Sequence, residues 1–427
     1  MRKADGLRHV LIISSDPVGK RMSGPAIRAY ETARELSRRH RVTLIAPGDG
    51  PAPKGVRMRA PKISSILDEI RRCDAVITQG VRLSATWPLF VLFPHKPAIW
   101  DLTSAVSLEN LARIGSAESR AEFQHRLFLL GMERGDFFVC GGERQRDLYA
   151  GAFASMGRAG FDGLCVSAPF GIPEERPRQE SRVLRGVIPG IGEDDFILLW
   201  PGGIWDWTDP LTPIRAVGRL ARKRTHLVFL GKEGPAPHET GSKMARRAEE
   251  LAHQLGLYGK SVHFLPGWRG YAERGRYLLE ADAGVSAHPR TIEARFAYRT
   301  RLVDCLWAGL PVICSGGDEL GNWVGRMGLG RTLPSEDVEA WTRAIREAAR
   351  GESWYREAPG RMAQLRPQMT WRARLAPLMD YLESPRVTSR GWAALPGYLV
   401  RVAALVSARA LSLRRHRPGD GNGWTSP

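Results

Sequence analysis

The chain has 427 residues and a formal net charge of +18; 43% of the residues are apolar and 25% charged. That length predicts two to three domains, each with its own core, and that composition argues against a disordered chain and a polytopic membrane protein. The five cysteines (Cys73, Cys140, Cys165, Cys305, Cys314) form no CxxC pair; neither a disulfide scaffold nor a structural zinc site is expected, and a reducing cytoplasm is the expected home.

The opening MRKADGLRHVLIISSD holds a short apolar run before a charge, which predicts a buried strand rather than a signal peptide. The run at 10–16 is that strand, 26–40 a helix with Ile27, Tyr30, Ala33 and Leu36 at helical spacing, and 41–48 a second strand, together a βαβ unit. Further strands are predicted at 75–80, 97–103 and 137–142, and helices at 118–134 and 143–156. The stretch 169–195 is rich in Pro, Gly and charge and reads as a linker. A second alternating series follows, with strands at 196–203, 226–231, 262–267, 283–288 and 311–317. The helices between them are expected at 209–223, 238–256, 270–281 and 297–309, and two more at 337–351 and 370–383. Such alternation predicts parallel sheets covered by helices, with ligands at the carboxyl ends of the strands. Two such domains facing each other would form a cleft.

The end of the chain differs. Residues 384–427 carry seven Arg against one Asp, and the largely apolar run 395–413 holds Arg401 and Arg409. An interfacial helix on anionic lipid is one reading. A terminal helix packed on its own domain, or a disordered tail, is another, and a membrane span is disfavoured by its two central Arg. The net positive charge favours anionic partners, be they nucleic acid, acidic lipid or phosphorylated small molecules. The basic residues are mostly Arg spread along the whole chain, and a nucleic-acid partner is not expected.

The most informative segment is RLVDCLWAGLPVICSGGDE (301–319): a helix, a Gly-Leu-Pro turn and a buried strand ending in Gly316-Gly317. It resembles the donor-site motif of retaining, family 4-type glycosyltransferases with the GT-B fold, in which an acid precedes Ala-x-Ala-x-Gly-x-Pro-Val. The acid here is Asp304. The resemblance implies that it grips the ribose hydroxyls of a nucleotide, a task that suits a carboxylate because charge assistance strengthens both hydrogen bonds. A helix-surface Asp ahead of an ordinary turn is the plainer reading. The family usually carries a Glu eight residues before this acid; here that position is Phe296, and the nearest acid is Glu293. The run 288–312 resembles a bacterial surface-polysaccharide subgroup in which His, Glu and Arg-Thr-Arg precede the acid. This moves the sugar-facing carboxylate role to Glu293 and places His288 at the cleft edge, unless it is simply a hydrogen-bonded loop histidine. Arg299 and Arg301 become candidates for the diphosphate. Two residues apart, they cannot face the same way on one helix, so one of them is expected to be structural.

The same subgroup matches GGIWDWTDP (202–210), SGP (23–25), GGERQRDLYAGAF (141–153) and PFGIP (169–173), so the resemblance covers about residues 8–345. Gly202-Gly203 and Gly24 would allow close backbone approach to the donor. Trp205 and Trp207 flank a base or sugar, or pack in a core. Asp206 and Asp209 invite a metal, but the resemblance implies none, and Asp209 before Pro210 reads as a helix cap. Asp101 and Glu109 fall where the subgroup lines its acceptor side. Glu143 and Arg144 support the cleft or cap the following helix.

The expected fold class is therefore α/β and GT-B: two Rossmann-like domains across a cleft, plus a basic C-terminal helical tail. The expected divisions are 1–175 (acceptor side), 176–195 (linker), 196–369 (nucleotide-sugar domain), 370–386 (helix) and 387–427 (amphipathic tail). The catalytic set is Glu293, Asp304, His288, Arg299 and Arg301. Donor contacts are Gly24, Gly202, Gly203, Trp205, Asp304, Gly316 and Gly317, with no metal and no cofactor beyond the nucleotide-diphosphate sugar. The resemblance implies sugar transfer with retention, onto an acceptor such as a lipid-linked glycan precursor. The basic, partly apolar tail lies outside the resemblance; by its composition it is expected to hold this cytoplasmic protein peripherally at the anionic inner membrane face. A non-catalytic nucleotide- or nucleic-acid-binding protein and a sugar-nucleotide epimerase on the same scaffold stay open as alternatives.

Overall fold

The computed structural model describes residues 7–48, 50–79, 92–103, 131–220, 224–232 and 242–388, with the isolated positions 89, 108, 128–129, 400, 403–404 and 407. The tail 387–427 and Glu109 lie almost wholly outside the described residues. The expected helix at 118–134 does too, except that 128–129 and 131–134 are helical. Among the described residues no helix is long and apolar enough to cross a membrane.

The first sheet contains β1 (His9–Ile13), β2 (Arg41–Ile45), β3 (Val56–Arg59), β4 (Ala75–Gln79), β5 (Ala98–Leu102), β6 (Phe137–Cys140) and β7 (Cys165–Ser167), in the order β3-β2-β1-β4-β5-β6-β7. The second contains β8 (Phe196–Trp200), β9 (Thr225–Phe229), β10 (Val262–Phe264), β11 (Ala283–Ser286), β12 (Val312–Ser315) and β13 (Gly330–Leu333), in the order β10-β9-β8-β11-β12-β13. Every pairing within both sheets is parallel. The central strands β1, β4 and β5 are buried along their whole length. That is the condition of a parallel sheet covered on both faces, and it explains their unbroken apolar runs. The strand order reverses between β1 and β4 and again between β8 and β11, so a crevice opens at the carboxyl ends there.

The helices in chain order are α1 (Gly24–Leu36), α2 (Ile63–Arg72), α3 (Glu143–Ser155), α4 (Phe161–Leu164), α5 (Leu211–Gly218), α6 (Lys243–Gln254), α7 (Arg274–Glu280), α8 (Ile292–Phe296), α9 (Thr300–Ala308), α10 (Glu319–Arg326), α11 (Val338–Ala349), α12 (Ser353–Met369), α13 (Trp371–Arg374) and α14 (Ala376–Glu383). The helix expected at 297–309 is broken. Ala297 ends α8 in extended backbone and Arg299 stands ahead of α9 with non-helical geometry. Residues 171–195, between β7 and β8, form no regular strand or helix apart from a single bridge at Ile172.

The chain then returns to the first sheet. Ile172 pairs with Thr370 in a parallel bridge. Tyr381 of α14 stacks on Phe137 of β6, with ring centres 4.0 Å apart. Thr388 donates its amide to Asp136 Oδ1 at 2.7 Å. Helix α14 therefore packs against the first sheet, whereas α12 still lies on the second lobe, where Tyr355 meets Phe196 and the Asp282 carbonyl.

At the amino edge of the second sheet, away from the cleft, sits a buried relay. Asp195 Oδ2 lies 3.1 Å from His226 Nε2, and His226 Nδ1 lies 3.1 Å from His263 Nε2. Burial, helped by the neighbouring His226, pushes the His263 imidazole down to about 4 from its ordinary 6.5. A base with a depressed folded pKa binds fewer protons folded than unfolded. The stability it contributes is present above pH 6.5 and lost as pH falls towards 4. The melting temperature should therefore drop across that interval, and His263→Phe should flatten the drop. An unchanged slope in His263→Phe would exclude this source of acid sensitivity.

Candidate active site

A cavity opens between the lobes where the carboxyl ends of β1 and β8 face each other. Its wall includes Ser23 and Gly24 at the start of α1, Gly202 and Gly203 after β8, and Arg301 and Asp304 on α9. Helix α1 begins where it does because Ser23 Oγ accepts the Ala26 amide while Pro25 fills the first turn. A Cβ added to Gly24 would lie 3.8 Å from Thr300 Oγ1, so the first turns of α1 and α9 face each other across the gap. Two positive helix ends directed at one space favour an anion there. Gly202 holds φ +139°, a conformation closed to most side chains, and nothing lies within 4 Å of where its Cβ would be.

Arg301 and Asp304 are three residues apart and share one face of α9. The Asp304 side chain is 28% exposed, and its Oδ1 accepts from Arg274 Nε at 3.0 Å. The Arg301 guanidinium lies 5.0 Å from the Trp200 ring centre, and its Nη1 is buried with no hydrogen-bond partner. Burial, with the Arg299 charge beside it, pushes Arg301 down to about 9, so it stays charged at neutral pH.

Arg299 faces the other way. It is buried, its Nε is 3.6 Å from Asp318 Oδ2, and its Nη2 donates to the Ala294 carbonyl at the end of α8. His288 and Glu293 are buried and absent from the cavity wall. The His288 amide donates to Ser315 Oγ, and burial plus Arg299 and Arg301 hold its imidazole well below its ordinary value. Glu293 Oε2 has no partner, and burial raises its carboxyl against the opposing pull of Arg299. Gly316 and Gly317 also lie off the wall. Their amides are spent within the protein, on the Leu333 carbonyl and on Asn322 Oδ1.

Trp205 reaches the wall and stacks on Trp207, with centres 5.4 Å apart and planes 3° apart. Asp206 accepts the Met244 amide, and Asp209 accepts the amides of Leu211 and Thr212 and the Thr212 hydroxyl. Both carboxylates thus fix helix starts. Asp101 is buried against Arg28 Nε at 2.9 Å and Gln79 Nε2 at 3.2 Å, behind the wall.

Sequence reasoning missed two features. Tyr271 and Arg274 line the cavity, yet their partners are 240 and 30 residues away, respectively, and leave no local pattern. Glu319 was also missed. Its Oε1 and Oε2 accept the Glu143 and Arg144 amides at 3.2 and 3.0 Å, so an acid from the second lobe caps α3 of the first. Arg144 answers by donating to the Gly317 carbonyl, and Gln145 Nε2 donates to the Phe296 carbonyl at 3.0 Å.

Two parallel Rossmann-like sheets with their carboxyl edges turned to a shared cleft define a GT-B fold, and the chain has it. No family model and no curated protein matches the sequence. Solved structures match across most of its length. Sucrose-phosphate synthase from Thermosynechococcus elongatus aligns with a TM-score of 0.63 at 15% identity, covering 87% of this chain and 98% of that one. HepE from Anabaena, solved with UDP and glucose, gives 0.66 at 12%, covering 88% and 100%. WaaG, a glycosyltransferase of lipopolysaccharide biosynthesis, gives 0.60 at 16%, again covering 88% and 100%. At these identities the likeness is one of fold.

The cap from Glu319 explains the glycine before α3. A Cβ at Gly142 would collide with the Glu319 carboxylate. Glu319→Ala should cost about 1–2 kcal/mol in urea unfolding, the usual loss of a helix cap. Gly142→Ala should destabilise the native chain but cost much less in the Glu319→Ala background. Equal penalties in both backgrounds would show that the collision does not govern position 142.

Proposed function

We propose that the chain is a glycosyltransferase that moves a sugar from a nucleotide-diphosphate donor to an acceptor hydroxyl, with retention at the anomeric carbon. The observation that carries this reading is the pair on α9: a free-edged carboxylate, Asp304, and an unpartnered guanidinium, Arg301, one turn apart on the wall of an interlobe cavity. The solved structures of this fold bound to UDP and to UDP-glucose support a nucleotide sugar as donor.

Asp304 would accept the ribose hydroxyls. Arg301, with the positive ends of α1 and α9, would hold the diphosphate and offset the charge that builds on it as the glycosidic bond breaks. Such stabilisation is strong because the donors are already in place in a water-poor cleft. Gly202 and Gly203 let the backbone approach the phosphates, and Trp205 offers a flat face to the base or the sugar. Glu293, buried behind the wall with one unpartnered oxygen, would act on an oxocarbenium-like transition state as a negative charge at a distance rather than by contact. Arg299 and His288 position rather than contact: one is tied to Asp318, and the other is a neutral imidazole behind the wall. In this reading the second lobe carries the donor, the first lobe receives the acceptor, and closure gates the reaction.

Thermal-shift screening against ADP, GDP, UDP, CDP and dTDP should find a nucleotide that raises the melting temperature, because it binds the folded form. Asp304→Asn should raise the donor KM about tenfold, and Arg301→Gln should lower kcat about a hundredfold. No shift with any nucleotide, or wild-type kinetics in both variants, would overturn the assignment. Acceptor-dependent release of nucleoside diphosphate separates a transferase from an epimerase and from a binding protein.

The acceptor in this reading is a lipid-linked glycan precursor, and the basic tail 387–427 holds the enzyme at anionic lipid. Deleting 387–427 should move the protein from the membrane to the soluble fraction without loss of donor hydrolysis. Unchanged fractionation would remove the tail from that role.

A further inference from the structure

We infer that Tyr271 and Arg274 form a positioning bridge through which the first lobe sets the Asp304 carboxylate when the lobes meet. This rests on the reading of Asp304 as a donor-binding residue.

Arg274 is held on several sides. Its Nε donates to Asp304 Oδ1 at 3.0 Å and its Nη1 to the Tyr271 carbonyl at 2.6 Å. Its guanidinium lies 3.6 Å from the Tyr271 ring centre and 4.4 Å from that of Trp307. Trp307 is itself anchored by its Nε1, which donates to the Glu175 carbonyl at 2.7 Å. A planar cation wedged between two rings has few rotamers left, and the carboxylate it grips inherits that restriction.

Tyr271 is tied in turn to the first lobe. Its amide donates to the Lys20 carbonyl at 2.9 Å, and its hydroxyl donates to Glu31 Oε1 at 2.8 Å. Its ring meets Tyr30 edge-on at 6.2 Å. Glu31 is a buried residue of α1, the helix whose first turn forms the opposite wall of the cavity. A continuous chain of contacts therefore runs from α1 through Glu31, Tyr271 and Arg274 to Asp304 on α9.

Two consequences follow from the chemistry. A carboxylate in a cleft built for a diphosphate would repel it, and the Arg274 charge offsets that repulsion. The carboxylate also gains its tightest orientation when Tyr271 is seated on the first lobe and Arg274 is clamped between the Tyr271 and Trp307 rings. Separating the lobes breaks both first-lobe hydrogen bonds of Tyr271 and loosens the platform under Arg274. Closure and readiness to hold the nucleotide are thus one event, and the ordering cost of binding is met before the ligand arrives.

The test is a double-mutant cycle on the full chain, read by calorimetric affinity for whichever of ADP, GDP, UDP, CDP or dTDP binds best. Tyr271→Phe removes one hydroxyl and leaves the ring under Arg274. It should weaken binding about fivefold to tenfold, the worth of one buried hydrogen bond. The Tyr271→Phe, Asp304→Asn double variant should bind no more weakly than Asp304→Asn alone, because the bridge acts through that carboxylate. Wild-type affinity in Tyr271→Phe, or losses that multiply in the double variant, would overturn the bridge. Amide hydrogen exchange on the ligand-free protein gives a second readout. In Tyr271→Phe, exchange should quicken in residues 300–308 as well as around 271, and unchanged exchange at 300–308 would also overturn it. Should no nucleotide bind the wild-type chain, the donor-site reading fails, and the exchange measurement alone decides whether the bridge exists.

Discussion

What the cleft can do depends on the break between α8 and α9. Arg299 is buried there, with its guanidinium turned away from the cavity toward Asp318 and the Ala294 carbonyl. A continuous helix from 292 to 308 would sweep Arg299 and Arg301 round together at about 100° per residue. The break uncouples them. The new helix starts at Thr300 opposite the start of α1, and the residues that then face the gap are Arg301 and Asp304. The cost of burying Arg299 is met by an acid and a carbonyl, as a buried charge requires.

Around this point the acids of the cleft are matched with arginines. Asp304 meets Arg274, Asp318 meets Arg299, Asp101 meets Arg28, and Glu31 meets Arg34. Arg301 has no acidic partner among the described residues, and it remains a cation despite its burial. The local balance at the cavity is therefore positive although acids surround it. Buried arginines of the cleft such as Arg28, Arg274 and Arg299 each answer a carboxylate, and Arg301 at the gap does not. His288 adds no charge, since burial, reinforced by Arg299 and Arg301, holds its imidazole well below its ordinary value.

The fold was largely legible because parallel strands buried on both faces write themselves as apolar runs. Val10–Ile13, Ala75–Thr78 and Leu198–Trp200 are such runs, and the βα alternation followed from them. The strands that escaped notice, β3, β7 and β13, are all at sheet edges, where one side is open and VRMR or GRTL carries charge. Helix α12 escaped because Pro359, Gly360 and Pro367 mask its period, although the helix runs through both prolines. On the site, Gly24, Gly202, Gly203, Trp205, Arg301 and Asp304 reach the cavity wall, because a helix start, a strand end and a three-residue spacing are local properties. The partners that orient them are not local. Tyr271 and Glu319 act through residues of the opposite lobe and Arg274 through an aspartate on another helix of its own lobe, and a linear reading has no period or spacing by which to find them.

The central claim is that Asp304 and Arg301 hold the two ends of a ribose diphosphate between the lobes. A crystal structure of the chain with its tightest-binding nucleoside diphosphate tests this most directly. The expected result is ribose hydroxyls within hydrogen-bond distance of the Asp304 carboxylate and phosphate oxygens on Arg301, beneath the first turn of α1. A nucleotide bound elsewhere, or one lying in the cleft with Asp304 still engaged by Arg274 alone, would contradict it.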